Sequence, residues 1–307
     1  MNILISGSLA YDRIMDFPGK FSDHILPDKI HVLNVAFTVN SLTEKFGGTA
    51  GNIAYSLSLL GEKPIILSTI GRDYHRYYEW LEENNITCKG IRIIDDELTA
   101  CAYITTDQSD NQITGFNPGA MKHKVSFNLN QLDPEDTIAI VAPGNLDDMV
   151  GLCQEYKSRG IRYIFDPGQQ LTSFYKESIL KCIDGAYILI SNDYELEMIM
   201  EKTGLDRDGI LKLVKIIITT LGEQGSRICT YDSIVAVPAV KLEKAVDPTG
   251  AGDSYRSGLI KGLVQKLDII ECAAMGSACA SFAVEYLGTQ EHRFTVEEFQ
   301  KRLESIK

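Results

Sequence analysis

The segment richest in chemistry is Asp247-Pro248-Thr249-Gly250-Ala251-Gly252-Asp253, followed by Ser-Tyr-Arg-Ser-Gly-Leu-Ile. Its first half is built of turn formers. Tyr255, Leu259, Ile260 and Leu263 then recur on one face, so the spacing predicts a helix starting near Ala251. A Gly-Ala-Gly stretch at a helix start exposes backbone N–H groups that no side chain crowds. Such a nest attracts anionic oxygens, and the helix dipole adds to the attraction. Asp253 falls inside the first turn, beside this anion site, and two readings compete for it. It is either an acidic residue favouring the positive end of a helix, or a base that orients an attacking hydroxyl and takes its proton. Phosphoryl transfer through a loose transition state asks little of that base, so a carboxylate with a pKa near ~4 can serve. The amides of Gly250, Ala251 and Gly252 would meet the charge that develops on the transferred group.

The elements that must hold this segment alternate along the chain. Residues 2–8 are an apolar run ending in Gly7-Ser8, as a buried first strand would be. A helix over 51–60 precedes a strand over 64–70, and a strand over 137–142 precedes a helix over 146–158. A strand over 161–165, a helix near 174–183 and a strand over 187–190 follow. A further helical segment leads to a strand over 215–221, and the chain beyond Gly252 is mainly helical. Runs such as Tyr187-Ile-Leu-Ile190 suit strands covered on both faces of a parallel sheet. Two stretches break the alternation. Residues 12–45 mix β-branched and aromatic residues with Pro18, Gly19 and Pro27, and Thr99–Phe116 reads as a hairpin about Asp110-Asn111. The expected fold is therefore α/β, a three-layer sandwich about a mostly parallel sheet. It spans residues 1–307 as one domain, with a small β-sheet lid from insertions at about 12–45 and 98–118.

Composition narrows the partners. Of 307 residues, 44% are hydrophobic and 23% charged, enough to build a substantial core. The formal net charge is -12 and the pI about 4.9, which argues against nucleic acid as a partner; the acidic residues read as a solvated surface. No apolar run is long enough to span a bilayer, and no secretory pattern opens the chain. Seven scattered cysteines without a CxxC read as buried thiols of a cytoplasmic protein, and no histidine cluster suggests a metal cage.

Four segments together resemble the ribokinase-like (PfkB) carbohydrate and nucleoside kinases. Asp247–Gly258 resembles the family's carboxy-terminal signature, and Phe46-Gly-Gly-Thr-Ala-Gly-Asn-Ile-Ala54 its glycine signature. Asn192-Asp-Tyr-Glu195 matches its NxxE motif, and Thr220-Leu-Gly-Glu-Gln-Gly225 its TxGxxG turn. All four stand in the family's order and cover nearly the whole chain. The resemblance implies an ATP-dependent kinase, with Asp253 as base and Thr220, Gly222, Gly225 and Asn192 holding ATP. Glu195 would act on Mg²⁺ largely through water, since that ion keeps much of its hydration. No Walker A sequence is present, so this is not a P-loop kinase. Gly47-Gly48 let backbone approach a ligand or simply make a tight turn. Asn52 offers a donor and an acceptor to a ribose hydroxyl, or caps a helix. Asp12 resembles the family's sugar-binding aspartate, a carboxylate able to accept two hydroxyl protons from a vicinal diol.

Within the family, Arg256, Leu287-Gly-Thr-Gln-Glu291 and Phe116-Asn-Pro-Gly-Ala-Met121 resemble the bacterial adenosine kinases. That likeness implies adenosine phosphorylated at its 5′-hydroxyl. Phe116 would stack on the base, Gln169 and Gln170 would lie beside it, and Ser8 and Asp12 would lie near the nucleoside. Ala102 stands where that group has a second lid aromatic. Ribose, another sugar, or inosine and guanosine remain as acceptors, and a silent nucleoside sensor is the reading outside the class. Family members also imply a K⁺ ion held by oxygens of Asp247, the Thr249 region and the segment around Gly288. The alternating segment Val32–Phe37 suggests an apolar lid surface through which two chains could pair.

Overall fold

The computed structural model describes residues 1–25, 31 and 34–306. Nine strands form one sheet among them, in the order β13-β12-β11-β10-β9-β8-β1-β4-β5. In chain order these are β1 (Asn2–Ser6), β4 (Ile65–Gly71), β5 (Ile91–Ile94), β8 (Thr137–Val141), β9 (Arg162–Phe165), β10 (Ile188–Asn192), β11 (Ile216–Thr220), β12 (Ser226–Cys229) and β13 (Ile234–Val237). From β11 to β5 every pairing is parallel; β12 and β13 add an antiparallel edge.

The apolar runs explain the layers. Side chains alternate across a strand, so Ile3 and Ile5 face one way and Leu4 the other. Ile3, Ile5, Ile138, Ile140, Ile188 and Ile190 pack with residues of four helices. These are α1 (Thr49–Leu59), α2 (His75–Glu83), α7 (Ala251–Val264) and α8 (Ile269–Ala283). Leu4, Ala139, Val141 and Leu189 pack on the opposite side. There they meet α3 (Leu146–Arg159), α4 (Lys176–Ile183), α5 (Asp193–Thr203) and α6 (Arg207–Leu211). Both faces are thus buried, as a parallel sheet requires. The last helix, α9 (Val296–Glu304), packs on α8 through Phe282, Phe294 and Phe299.

The two stretches that break the alternation form a second sheet, in the order β3-β2-β6-β7: β2 (Ala10–Asp16), β3 (Ser41–Gly47), β6 (Ala100–Thr106) and β7 (Gln112–Asn117). Its outer pairs are antiparallel and its central pair, β2 with β6, is parallel. The hairpin about Asp110-Asn111 is present, with Asp110 at a φ of 59°.

One expectation fails. Val32 and Leu33 lie outside the described residues, and residues 34–37 form no strand. Phe37 turns inward onto Phe17 and Phe21, with ring centroids 4.5 and 5.8 Å apart. An aromatic cluster absorbs the side chain that alternation alone placed on an exposed apolar face.

Candidate functional site

Three of the expected residues, and one that was not expected, stand at the carboxyl ends of parallel strands. Ser8 follows β1, Asn192 ends β10 and Thr220 ends β11, while Asp166 follows β9. In open α/β sheets this edge is where ligands lie. The amino ends of α1 and α7 point at the same edge.

The turn into α1 is held tightly. Gly48 has a φ of 89°, and a Cβ there would stand 2.6 Å from the Ser8 carbonyl oxygen, so only glycine fits. Gly47 leaves room of another kind: a Cβ on it would stand 2.6 Å from Asp12 Oδ2. Ser8 takes up the first amides of α1, because Thr49 N–H donates to its Oγ (3.1 Å) and Ala50 N–H to its carbonyl (3.0 Å). Its hydroxyl therefore has a structural duty as well as a place near the edge.

Gly250, at a φ of 78°, starts α7. Ala251 N–H donates back to Pro248 O at 3.2 Å, and the Gly252 and Asp253 amides, in the first turn, have no acceptor within the helix. Of the three amides expected in the nest, that of Ala251 is thus already spent. Asp253 Oδ2 accepts from Asn52 Nδ2 at 2.8 Å. Burial pushes the Asp253 carboxyl up to about 6, aided by the negative charge of Asp166 and opposed by Arg256 and the Asn52 bond. Arg256, buried, makes a bidentate pair with Asp166, Nη2 to Oδ1 at 2.7 Å and Nε to Oδ2. Its Nη1 donates to Gly252 O at 2.9 Å, so the pair braces the nest from behind.

Asn52 differs from the expectation that it offers both ends of its amide to a sugar hydroxyl. Its Oδ1 already accepts from Gln290 Nε2 at 3.0 Å, and one N–H of the amide is spent on Asp253. One N–H is left for a ligand.

Asp12, Ala102 and Phe116 stand in one row across the second sheet. Asp12 is opposite Ala102 on β6, Ala102 is opposite Phe116 on β7, and Lys45 on β3 completes the row. Residues directly opposite share a face. The methyl of Ala102 leaves a gap there between the carboxylate and the ring. Lys45 Nζ reaches the Leu287 carbonyl at 2.7 Å, which turns this face toward the loop before α9. Burial pushes Asp12 up to about 6, and Phe116 is 52% exposed. Gln169 is exposed, while Gln170 Nε2 donates to Gly144 O at 2.9 Å.

On the opposite flank, Asn192 and Glu195 form a capping box on α5. Asn192 Oδ1 accepts from Glu195 N–H (2.7 Å), and Glu195 Oε2 from Asn192 N–H (2.9 Å). Glu195 Oε1 accepts no hydrogen bond among the described residues, and burial raises this carboxyl. Gly222, at a φ of 58°, and Gly225, at 88°, shape the turn after Thr220. Asp247 accepts from Thr249 N–H at 2.9 Å and Gly288 N–H at 3.0 Å, tying the 247–250 loop to the 287–291 loop. Burial raises this carboxyl, but the Thr249 hydroxyl, the two amides and the Lys45 charge together outweigh it and hold it below the usual range. Among the described residues no group of three His, Cys, Asp or Glu could cage a metal, and no helix is long and apolar enough to cross a membrane.

The sequence reading passes over Asp166, Tyr77 and Trp80, and includes Gln290 only within Leu287–Glu291, without a role. Asp166-Pro167-Gly168 after a buried strand is the one local signal among them. Tyr77 and Trp80 meet Gln290 across more than two hundred residues.

Residues 17–295 match the pfkB family carbohydrate kinases. The nucleoside kinase of Methanocaldococcus jannaschii is 35% identical over 274 residues, 88% of this chain and 89% of that one. A Burkholderia thailandensis nucleoside kinase in complex with inosine superposes with a TM-score of 0.83 at 34% identity, covering 99% of this chain and 97% of the other. The same enzyme in complex with ADP-inosine gives 0.82 at 36% identity, covering 99% and 95%.

Proposed function

The chain belongs to the pfkB family of carbohydrate kinases, and from that premise we propose that this ATP-dependent kinase phosphorylates the 5′-hydroxyl of a purine nucleoside, adenosine among them. The observation that carries the proposal is the row Asp12–Ala102–Phe116. Strands lie about 4.8 Å apart, so carboxylate and ring are separated by roughly 10 Å, about the reach from a ribose diol to a stacked base. A free sugar would leave Phe116 with nothing to contact.

Asp253 then takes the proton of the attacking hydroxyl. Its raised pKa makes it a stronger base than an ordinary carboxylate, and its turnover falls as the pH drops through about 6. The amides of Gly250, Gly252 and Asp253 receive the charge of the transferred group, and Arg256 with Asp166 holds the turn in place. Thr220, Gly222 and Gly225 border ATP, with Asn192 and Oε1 of Glu195 facing its phosphates. Mg²⁺, when bound, neutralises charge on those phosphates; a half-buried carboxylate with one uncommitted oxygen suits an ion held through water.

Inosine is a second acceptor, favoured by the inosine-bound B. thailandensis enzyme at 34% identity. From adenosine to inosine the 6-position changes from donor to acceptor and N1 from acceptor to donor, and a glutamine amide serves either edge by turning over. Gln169, exposed, is free to turn. K⁺ belongs beside the 247–250 loop, since Asp247 already draws that loop and Gly288 together. Equal initial rates in potassium and in a bulky organic cation, at matched ionic strength, would remove the ion from this account.

The direct test is Asp253→Asn. Turnover is expected to fall at least ~10²-fold while nucleoside and ATP still bind. Near-normal formation of the 5′-monophosphate would remove Asp253 from its role.

A further inference from the structure

Asp253 receives one end of an amide, and an amide has two ends of nearly equal shape, a donor and an acceptor. Which end faces the carboxylate depends on what holds the other. Here a buried chain of polar groups does so. Asn52 Oδ1 accepts from Gln290 Nε2 at 3.0 Å. The same Nε2 donates its second hydrogen to the Tyr77 hydroxyl at 3.0 Å, and Tyr77 donates onward to the Gly47 carbonyl at 2.7 Å. Gln290 Oε1 accepts from Trp80 Nε1 at 2.8 Å.

An indole N–H can only donate. Turned over, Gln290 would set its NH₂ against that N–H and its carbonyl against the carbonyl of Asn52, leaving two repulsive pairs in a buried site. Gln290 is 3% exposed and Asn52 5%, so water has little access to compensate. The donor-only indole therefore sets the direction of every hydrogen bond from Trp80 to Asp253.

Packing fixes the starting point. The Trp80 ring stacks on Phe46 (centroids 5.1 Å, 10°) and on Tyr55 (5.7 Å, 22°), with Arg293 5.3 Å from its centroid. Helix α1 passes close enough that a Cβ on Gly51 would stand 2.1 Å from the Tyr77 hydroxyl and 2.9 Å from Gln290 Nε2. Phe46 and Gly47 precede the turn into α1, so the same chain ties that turn to the amide at Asp253.

We propose that Trp80 and Gln290 are positioning residues for phosphoryl transfer: they lock the Asn52 amide with its N–H toward Asp253 and couple that orientation to the Gly47 turn. The inference rests on Asp253 being the base. The other groups that face Asp253 are Arg256 on its own helix and Asp166 beyond β9, with Glu195 acting on Arg256; none touches Gln290.

The experiment is the pH dependence of kcat and KM in wild type, Asn52→Leu, Gln290→Glu, Trp80→Phe and Asp253→Asn, with thermal unfolding of each. Asn52→Leu removes the N–H donor, so the acid limb of kcat moves up by about 1 pH unit. Gln290→Glu keeps the size of the side chain, but its carboxylate cannot donate to Asn52. It turns the amide over and moves the limb in the same direction, with KM for ATP unchanged. Trp80→Phe keeps the stack, loses the donor, and gives a smaller shift of the same sign. In an Asn52→Leu background neither change adds a shift, because there is no amide left to orient. A merely structural role would lower the unfolding temperature and leave the limb where wild type has it, which overturns the proposal. So would a Gln290→Glu shift that persists undiminished without Asn52. Should Asp253→Asn itself keep turnover, the base assignment has failed; should it abolish turnover while Gln290→Glu leaves the limb unmoved, only the present inference has.

Discussion

The two carboxylates at the acceptor end of the site, Asp12 and Asp253, are both pushed up to about 6 by burial. Each is costly to the fold in its charged form. The sign follows from linkage. A carboxyl whose pKa is higher folded than unfolded (near ~3.9) favours the folded state most below pH ~4, and this is lost as the pH rises through about 6. Asp253→Asn therefore raises stability at pH 8 by on the order of 1–2 kcal/mol, and the gain vanishes below pH ~4. Thermal unfolding of that variant across pH measures it; a loss of stability at pH 8 would mean that the carboxylate is better satisfied than its surroundings indicate. The same variant is expected to lose turnover, so stability and activity would part company at one residue. Asp253 was legible in the sequence because the Gly-Ala-Gly turn and the helix after it are local patterns. Its raised pKa was not, since that depends on Asn52, Arg256 and Asp166 being folded around it.

At the scale of elements, the second sheet offers the clearest division of labour. Its β2–β6–β7 register sets carboxylate, methyl and aromatic ring in a row. Ala102 is a departure from the adenosine kinase pattern when read along the sequence, yet between Asp12 and Phe116 its small side chain is what keeps the gap open. Phe116→Ala is expected to raise KM for adenosine by roughly ten- to a hundredfold while leaving any activity on ribose alone, since base stacking contributes ~1–3 kcal/mol. An unchanged KM for adenosine would mean that the ring does not meet the base. The hairpin carrying Phe116 was readable from its turn residues and alternation. Helix α2 and strand β5 were not: His75–Glu83 buries only Tyr77 and Leu81, and Ile91–Ile94 is four residues between charged flanks. Short elements with so few buried positions leave little period to read. The segment around Phe37 misled for the converse reason, because alternation cannot say whether an aromatic residue faces a partner or its own neighbours.

At the scale of the molecule, the parallel sheet was legible as a succession of apolar runs, and its carboxyl edge collects Ser8, Asp166, Asn192 and Thr220 from strands far apart in the chain. What the sequence could not disclose is the closure between distant segments. Asp166 meets Arg256 across 90 residues, and Trp80 meets Gln290 across 210. Such pairs leave no local trace; they form only when α1, α2, α7 and the loop before α9 pack on one side of the sheet. That packing places Asp253, the turn into α7 and the row on the second sheet about one site, and it is the reason to expect an acceptor that carries both a diol and a base. The measurement closest to this claim is kcat/KM with ATP and Mg²⁺ for adenosine, inosine and ribose under one set of conditions, with the position of the new phosphate determined in each product. A purine nucleoside phosphorylated at its 5′-hydroxyl, with kcat/KM at least roughly tenfold above that for ribose, is the result expected from a stacked base. Ribose matching or exceeding both nucleosides would contradict it.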